Sequence, residues 1–293
     1  MKKCFLSLLI HTCCIITALY PQKQIQGGLS FGGINYEGDL APSSLVVSLS
    51  ETHLDLGGFI YLKTNDWLSL KINYHHGTLS GTDANANDEG RRNRNLHFRS
   101  PLDELSVSGV FFYPHKFQNK SLFKPFVTLG VGAFRFNPQA NLDGKWYELQ
   151  PLSTEGQGLK NYPSRKPYSR VQICFPVGIG TQVALNRRVD LTFEFSFRKT
   201  LTDYIDDVST TYVSLEDLTK EKGDVAATLS NRTLSNNARL QGFNGMRRGD
   251  SKNKDWYVIG SVGFIVNILG ESSKDNLFKK KIKYTNCKRM FRK

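Results

Sequence analysis

The chain is poor in cysteine, and most of what it has lies at one end. Cys4, Cys13 and Cys14 fall in the opening segment, leaving Cys174 and Cys287 elsewhere. A disulfide framework is therefore excluded. Beyond residue 20 no apolar run approaches the ~20 residues a spanning helix needs. With a mean hydropathy of −0.37, a bundle of membrane helices is excluded as well. Acidic residues are outnumbered, 26 against 39 basic ones, for a net charge of +13. That excess is uneven: residues 271–293 hold nine Lys/Arg against Glu271 and Asp275, or +7, and Lys2 and Lys3 add two more. A nucleic-acid-binding domain spreads or stripes its charge over the fold; here it sits in a tail, so nucleic acid is not an expected partner.

What the chain does have is a two-faced period. From Val189 to Arg198, Val189, Leu191, Phe193, Phe195 and Phe197 alternate with Asp190, Thr192, Glu194, Ser196 and Arg198. Successive strand side chains point to opposite faces, so one face is wholly apolar and the other carries both signs of charge. A soluble sheet would need a layer to cover the apolar face, and little in the sequence reads as a covering helix. A closed barrel with its apolar face in lipid resolves the conflict. The lipocalin-like alternative is apolar inside, and the charged residues Lys71, Glu104, Glu194 and Arg198 opposite the apolar face disfavour it.

The same pattern predicts about eight antiparallel strands: Gly28 to Tyr36, His53 to Lys63, Trp67 to Thr78, Phe98 to Tyr113, Lys124 to Phe136, Ser169 to Leu185, Val189 to Arg198, and Asp255 to Ile268. Short connections (Lys63 to Asp66, His115 to Phe123, Asn186 to Arg188) alternate with long polar ones (Glu37 to Thr52, Leu79 to His97, Asn137 to Tyr168, Ile205 to Lys254). That alternation suits a small outer-membrane barrel with short periplasmic turns and long outer loops, both termini on the short-turn side. Aromatics near strand ends (Tyr61, Trp67, Tyr113, Phe123, Phe134, Phe136, Tyr204, Trp256, Tyr257) suit interfacial girdles. The basic Met1 to Lys3, the apolar run Cys4 to Leu19 and the break at Tyr20-Pro21 read as an export signal over 1–20. The barrel then occupies 21–270 and a basic periplasmic tail 271–293. Cys13 and Cys14 raise a lipoprotein alternative, but Ile10 to Thr12 before them is not a lipobox.

A bore of about eight strands is narrow enough for side chains to fill. Lys71, Glu104, Glu194 and Arg198 are expected to lie in it as a paired ionic network, because unpaired charges there are costly; a solute-selective pore is the alternative. No catalytic, cofactor or metal site is expected. His75, His76, Ser80 and Asp83 match no triad order, and Gly130-Val-Gly132 and Gly178-Ile-Gly180 lack the strand-turn-helix context of a phosphate cradle. Asp203, Asp206 and Asp207 do not follow an EF-hand spacing and read as a solvated acidic loop start. Lys279, Lys280, Lys281 and Lys283 could grip an anionic partner, against the plainer reading of a solvated tail.

The segment Phe197 to Ser209, with Arg198, Thr200, Asp203, Tyr204, Asp206 and Asp207 in an R-x-T-x-x-D-Y-x-D-D-V-S arrangement, resembles the PorG-like family of small outer-membrane barrels of Bacteroidota, components of the type IX secretion (Por) system. Tyr36 to Leu40, Arg99 to Leu105, Asn231 to Thr233, Arg248 to Asp250 and Asp255 to Tyr257 support the resemblance and span nearly the whole barrel. It implies a non-enzymatic barrel without cofactors, held in outer-membrane lipid. Its implied partners are the periplasmic ring proteins and lipoproteins of the secretion machinery. The basic extension after Ile268 departs from barrels that stop at a terminal aromatic.

Overall fold

The computed structural model describes residues 24–41, 49–113, 123–186, 188–234 and 244–269. The expected export signal and basic tail, including Lys279, Lys280, Lys281 and Lys283, lie outside them. Among the described residues ten strands form: β1 (Ile25–Glu37), β2 (His53–Lys63), β3 (Leu68–Thr82), β4 (His97–Phe112), β5 (Phe123–Phe136), β6 (Gln139–Leu142), β7 (Lys145–Glu148), β8 (Val171–Ala184), β9 (Val189–Thr200) and β10 (Trp256–Leu269). Eight of them make a closed antiparallel barrel, in the order β3-β2-β1-β10-β9-β8-β5-β4, with β3 pairing back onto β4. Closure pairs the backbone groups around the wall and leaves no open barrel edge, the condition for crossing a membrane with strands.

The side-chain period sets the two faces. Leu29, Leu54, Leu105, Leu129, Ile179 and Phe195 all point outward and are exposed, Leu29 by 74%. An apolar belt of this extent on a soluble monomer would drive association; in hydrocarbon it is the matched surface. The protein is a small transmembrane β-barrel.

The inward positions fill the bore in three layers. At the short-turn end Phe59, Tyr61, Val110, Phe112, Phe126 and Ile265 pack together. The middle holds the charged and hydroxyl side chains. Toward the long-loop end Ile34, Tyr36, Leu79, Phe98, Leu102, Phe134, Phe136 and Tyr257 form an apolar cluster that continues into Leu40, Tyr168, Ile205 and Val208 of the loops. The girdle expectation is therefore corrected. Trp67, Tyr113 and Phe123 are exposed outside, but Tyr61, Phe134, Phe136 and Tyr257 are buried in the bore. Parity decided this, since an aromatic at an inward position of a narrow barrel becomes filling.

The long loops are not simply polar links. Among the described residues they contain the β6–β7 hairpin and the short helices α1 (Glu89–Arg94), α2 (Leu215–Lys222) and α3 (Asp224–Ser230). Asp143 and Gly144 turn the hairpin with positive φ at both positions, the conformation a two-residue hairpin turn needs. Asp88 caps α1 and Ser214 caps α2 through their side chains. Leu159, Val213, Leu218 and Ala226 give these loops an apolar core of their own. The result is a folded cap docked on one mouth of the barrel.

Candidate functional site

Two polar assemblies stand out, one inside the bore and one beneath the cap. In the bore, β3 and β9 place Lys71 Nζ 2.6 Å from Glu194 Oε2, and β9 and β4 place Arg198 Nε 3.1 Å from Glu104 Oε2. Tyr257 donates to the same Glu104 oxygen at 2.9 Å. Arg198 also donates to the carbonyl and hydroxyl of Ser196 and lies 3.4 Å from His75 Nε2. His75 Nδ1 in turn meets Asp55 at 2.9 Å. Lys71 lies over the Phe59 ring, 4.9 Å from its centre, so the ionic layer rests directly on the aromatic one. The structure thus brings Lys71, Glu104, Glu194 and Arg198 together as two ion pairs in one buried layer. Asp55 and His75 join them, although β2's Asp55 carried no sequence signal beyond its inward parity.

The cap assembly begins where β9 ends. Thr200 Oγ1 donates to the Asp255 carbonyl at 2.7 Å and ties the β9 exit to the β10 entry. Beyond it Asp203, Asp206 and Asp207 are buried, none more than 2% exposed, which overturns their reading as a solvated loop start. Asp206 and Asp207 are held by partners from distant segments, while Asp203 bonds with nearby Ser209 and leaves Oδ2 without a partner. Tyr36 Oη lies 2.8 Å from both Asp206 Oδ2 and Asp255 Oδ1. The Val208 amide donates to Asp206 and the Ile205 amide to Asp255, each at 2.9 Å. Asp207, in the left-handed region at φ 65°, accepts from Thr154 and from Tyr168 Oη at 2.7 Å.

Glu155 forms the second anchor. It accepts the amides of Ser209 and Thr210 and the Thr210 hydroxyl, and it pairs with Arg248 at 3.1 Å. Arg248, itself buried, also donates to the Asp207 and Ser230 carbonyls. Tyr204 stacks on Tyr168, ring centres 4.5 Å apart, and Tyr168 stacks on Phe136 of β5. Asp39 accepts the Asp250 amide at 2.7 Å, and Asn231 Oδ1 holds the Thr233 amide and hydroxyl. Five segments far apart in sequence therefore meet in one buried cluster. Five of the six motif residues, Thr200, Asp203, Tyr204, Asp206 and Asp207, lie at the barrel-to-cap joint, and the sixth, Arg198, is paired with Glu104 inside the bore.

Carboxylates outnumber cations there, and burial dominates their chemistry. It pushes the Asp203 carboxyl up to about 7 and that of Asp207 up to about 6, the latter despite Arg248. Asp206 and Asp255 are raised well above the usual carboxylate range, first by burial and then by the neighbouring carboxylates, Asp39 among them. Among the described residues no group of His, Cys, Asp and Glu is arranged to hold a metal ion.

Among the described residues no nucleophile is assembled. His75 lies in the bore and His76 on the outer face, while Ser80 meets a different histidine, His53 Nε2, at 2.7 Å. Ser80 donates to Glu51 at 2.8 Å. The carboxylate stands beside the serine and not behind the imidazole, so nothing orients His53 as a base. Asp83 is spent on Arg91 and Arg94. Gly130, Gly132, Gly178 and Gly180 lie within β5 and β8 and face side chains of the bore, not a helix N-terminus. On the cap, Asp39, Arg91, Arg94, Tyr212, Met246 and Arg247 line an open depression of about 440 Å³, but Arg91, Arg94 and Arg247 are occupied by Asp83, Asp250 and backbone carbonyls.

A family described as a domain of unknown function (DUF6089) matches residues 5–225. No curated protein matches the chain. Among solved structures, Neisserial surface protein A is similar at 11% identity and a TM-score of 0.38, over 83% of this chain and 96% of that one. Ail, the attachment invasion locus protein of Yersinia pestis, solved with the heparin analogue sucrose octasulfate, is similar at 6% identity and a TM-score of 0.38, over 84% and 99%. The N-terminal β-barrel domain of Pseudomonas aeruginosa OprF follows at 11% identity and a TM-score of 0.34, over 83% and 99%.

Proposed function

The chain belongs to the family described as a domain of unknown function (DUF6089), and from that premise we propose that it is a non-catalytic outer-membrane component of the type IX secretion machinery. In this reading the long-loop cap faces the exterior. The short-turn end and residues 271–293 face the periplasm and associate with the ring proteins and lipoproteins of the system. The observation that carries the reading is the filled bore. An aromatic layer, a paired ionic layer and an apolar layer continuous with the cap occupy it from end to end. A barrel without a passage, and without an assembled nucleophile or metal site among its described residues, acts through its surfaces. The resemblance over Phe197 to Ser209 then supplies the system it acts in.

The test is crosslinking in intact cells followed by purification through this chain, together with deletion of its gene. Recovery of periplasmic ring components and loss of exported cargo are expected. Normal export with altered uptake of a small solute would overturn the proposal in favour of a channel.

The tail gives a second check. A +7 segment of this composition attracts anionic surfaces through charges screened over about 8 Å at physiological salt. Truncation after Gly270 should leave the barrel assembled but weaken its periplasmic association, more at low salt than at high salt, where the attraction is already screened. Unchanged recovery of partners at both low and high salt would refute a binding role for the tail.

A further inference from the structure

The outer wall of the barrel changes character along one register row. His76 pairs with Asp103 across β3 and β4, and Asp103 with Arg135 across β4 and β5. All three point away from the bore. Toward the short-turn end the outward rows are mainly apolar: Tyr74, Leu105, Ala133 and Ile173 first, then Ile72, Val107 and Val131, and so on down to Leu68, Phe111 and Val127. Eight residues of strand at about 3.3 Å each, tilted by about 40°, give a band roughly 20 Å tall. The His76–Asp103–Arg135 row therefore marks the edge of the hydrocarbon, the level of lipid head groups.

At that edge Arg135 stands beside Asp103 without a direct ion pair. Asp103 Oδ1 is taken by Tyr74 Oη at 2.7 Å and His76 Nδ1 at 2.8 Å. Arg135, exposed on β5, lies near Asp103 and Glu148 but enters no hydrogen bond or ion pair among the described residues. Glu148 is held by Asn137 and by Arg170 at 2.9 Å. Higher on β4, Arg99 stacks on Trp146 of β7 at 3.8 Å and spends its Nε on the neutral amide of Gln139. Arg99 too has no carboxylate partner among the described residues. Two guanidinium groups on adjacent parts of one wall, about 13 Å apart along the strand, thus keep N–H donors that no carboxylate takes up among the described residues. Of the two nearby carboxylates, Glu148 is paired with Arg170, and Asp103, which attracts Arg135 from beyond ion-pair distance, is hydrogen-bonded by Tyr74 and His76.

We propose that the wall formed by β4, β5 and the β6–β7 hairpin binds the head group of a lipid carrying two phosphate charges. Arg135 meets one phosphate at the hydrocarbon edge, and Arg99, farther out and stacked on Trp146, meets the other. The guanidinium fork matches phosphate oxygens with paired, charge-assisted hydrogen bonds. The acyl chains lie along the apolar rows below. This proposal does not depend on the secretion role.

The experiment measures retained lipid by native mass spectrometry on the full chain. It is reconstituted in vesicles of phosphatidylcholine doped with bisphosphorylated lipid A or with phosphatidylglycerol, then released into detergent. Retention should rank lipid A above phosphatidylglycerol above phosphatidylcholine. Arg135→Gln and Arg99→Gln should each lower lipid A retention about tenfold, the loss of a charge-assisted contact. Arg135→Lys should restore it only in part, while Lys63→Gln, at the opposite end of the barrel, should not change it. Heat-modifiable migration identifies the folded variants, and only those are scored. Equal retention of phosphatidylcholine, or arginine variants that hold lipid A like the unmodified chain, would overturn the proposal. So would displacement of the lipid by millimolar inorganic phosphate, which would mark a site for the free ion.

Discussion

Tyr36 has one hydroxyl proton and two carboxylates within 2.8 Å of it. It can donate to only one, so the second contact is a hydrogen bond only if Asp206 or Asp255 keeps a proton of its own. Burial and the surrounding carboxylates raise both groups well above their usual range, in line with that count. With Asp203 at about 7 and Asp207 at about 6, the folded cap holds protons that the unfolded chain releases near pH 4. The folded state binds more protons in that window, so the contribution to stability is complete below about pH 4 and is lost as pH rises through 6 and 7. Hydrogen exchange of the amides from Ile205 to Thr210, corrected for the intrinsic rate, should show a more stable cap at pH 5 than at pH 8. Asp203→Asn should flatten part of that slope. A cap equally protected at both pH values would contradict this account.

Charge pairing in the bore gives the opposite kind of sensitivity. Glu194→Ala would leave Lys71 buried without its carboxylate, typically a cost of about 3–5 kcal/mol. Lower stability to urea is expected, with no large conductance, because Phe59, Tyr61 and the upper apolar cluster still close the bore. Replacing Lys71 and Glu194 together by Met and Gln should recover much of the loss, since no lone charge remains.

At the scale of elements, the strands owe their register to parity and the narrow bore to small inward residues. A Cβ on Gly178 would meet Ser196 Cβ at 2.4 Å and the Phe195 carbonyl at 3.0 Å. Gly178→Val should therefore prevent β8 and β9 from closing and abolish the heat-modifiable folded form. Gly144 contrasts with it: nothing lies within 4 Å of a Cβ there, and only its φ of +83° resists substitution. Gly144→Ala should cost about 1 kcal/mol through backbone strain alone and leave the barrel folded. A gel comparison of the two variants with and without heating separates steric from conformational need.

The whole molecule is a plugged cylinder with a folded lid, greasy outside and salt-bridged within. Purified protein in planar bilayers should show no stable, large channel. Were one to appear, both the plug and the proposed secretion role would fall, because the filled bore is their common premise.

The barrel was legible in the sequence because a membrane strand declares itself twice, by period two along the chain and by an apolar face with no partner layer. Long and short connections added the topology. Lys71, Glu104, Glu194 and Arg198 could be placed in the bore for the same reason: parity alone fixes which face a strand residue takes. Their pairing was decided by register across strands, which brought Lys71 to Glu194 and Arg198 to Glu104 and added Asp55 and His75. Parity also assigns Tyr61, Phe134, Phe136 and Tyr257 to the bore, but their places at strand ends were read as a girdle. The cap was beyond the sequence for a different reason. Its helices run six to eight residues, too short for a 3.6-residue period to show. Asp203, Asp206 and Asp207 read as polar and therefore solvated. Only the tertiary structure surrounds them with Tyr36, Thr154, Glu155, Tyr168, Arg248 and Asp255, contributed by four other segments of the chain. Local pattern determines faces; burial of a polar residue depends on partners that sequence distance hides.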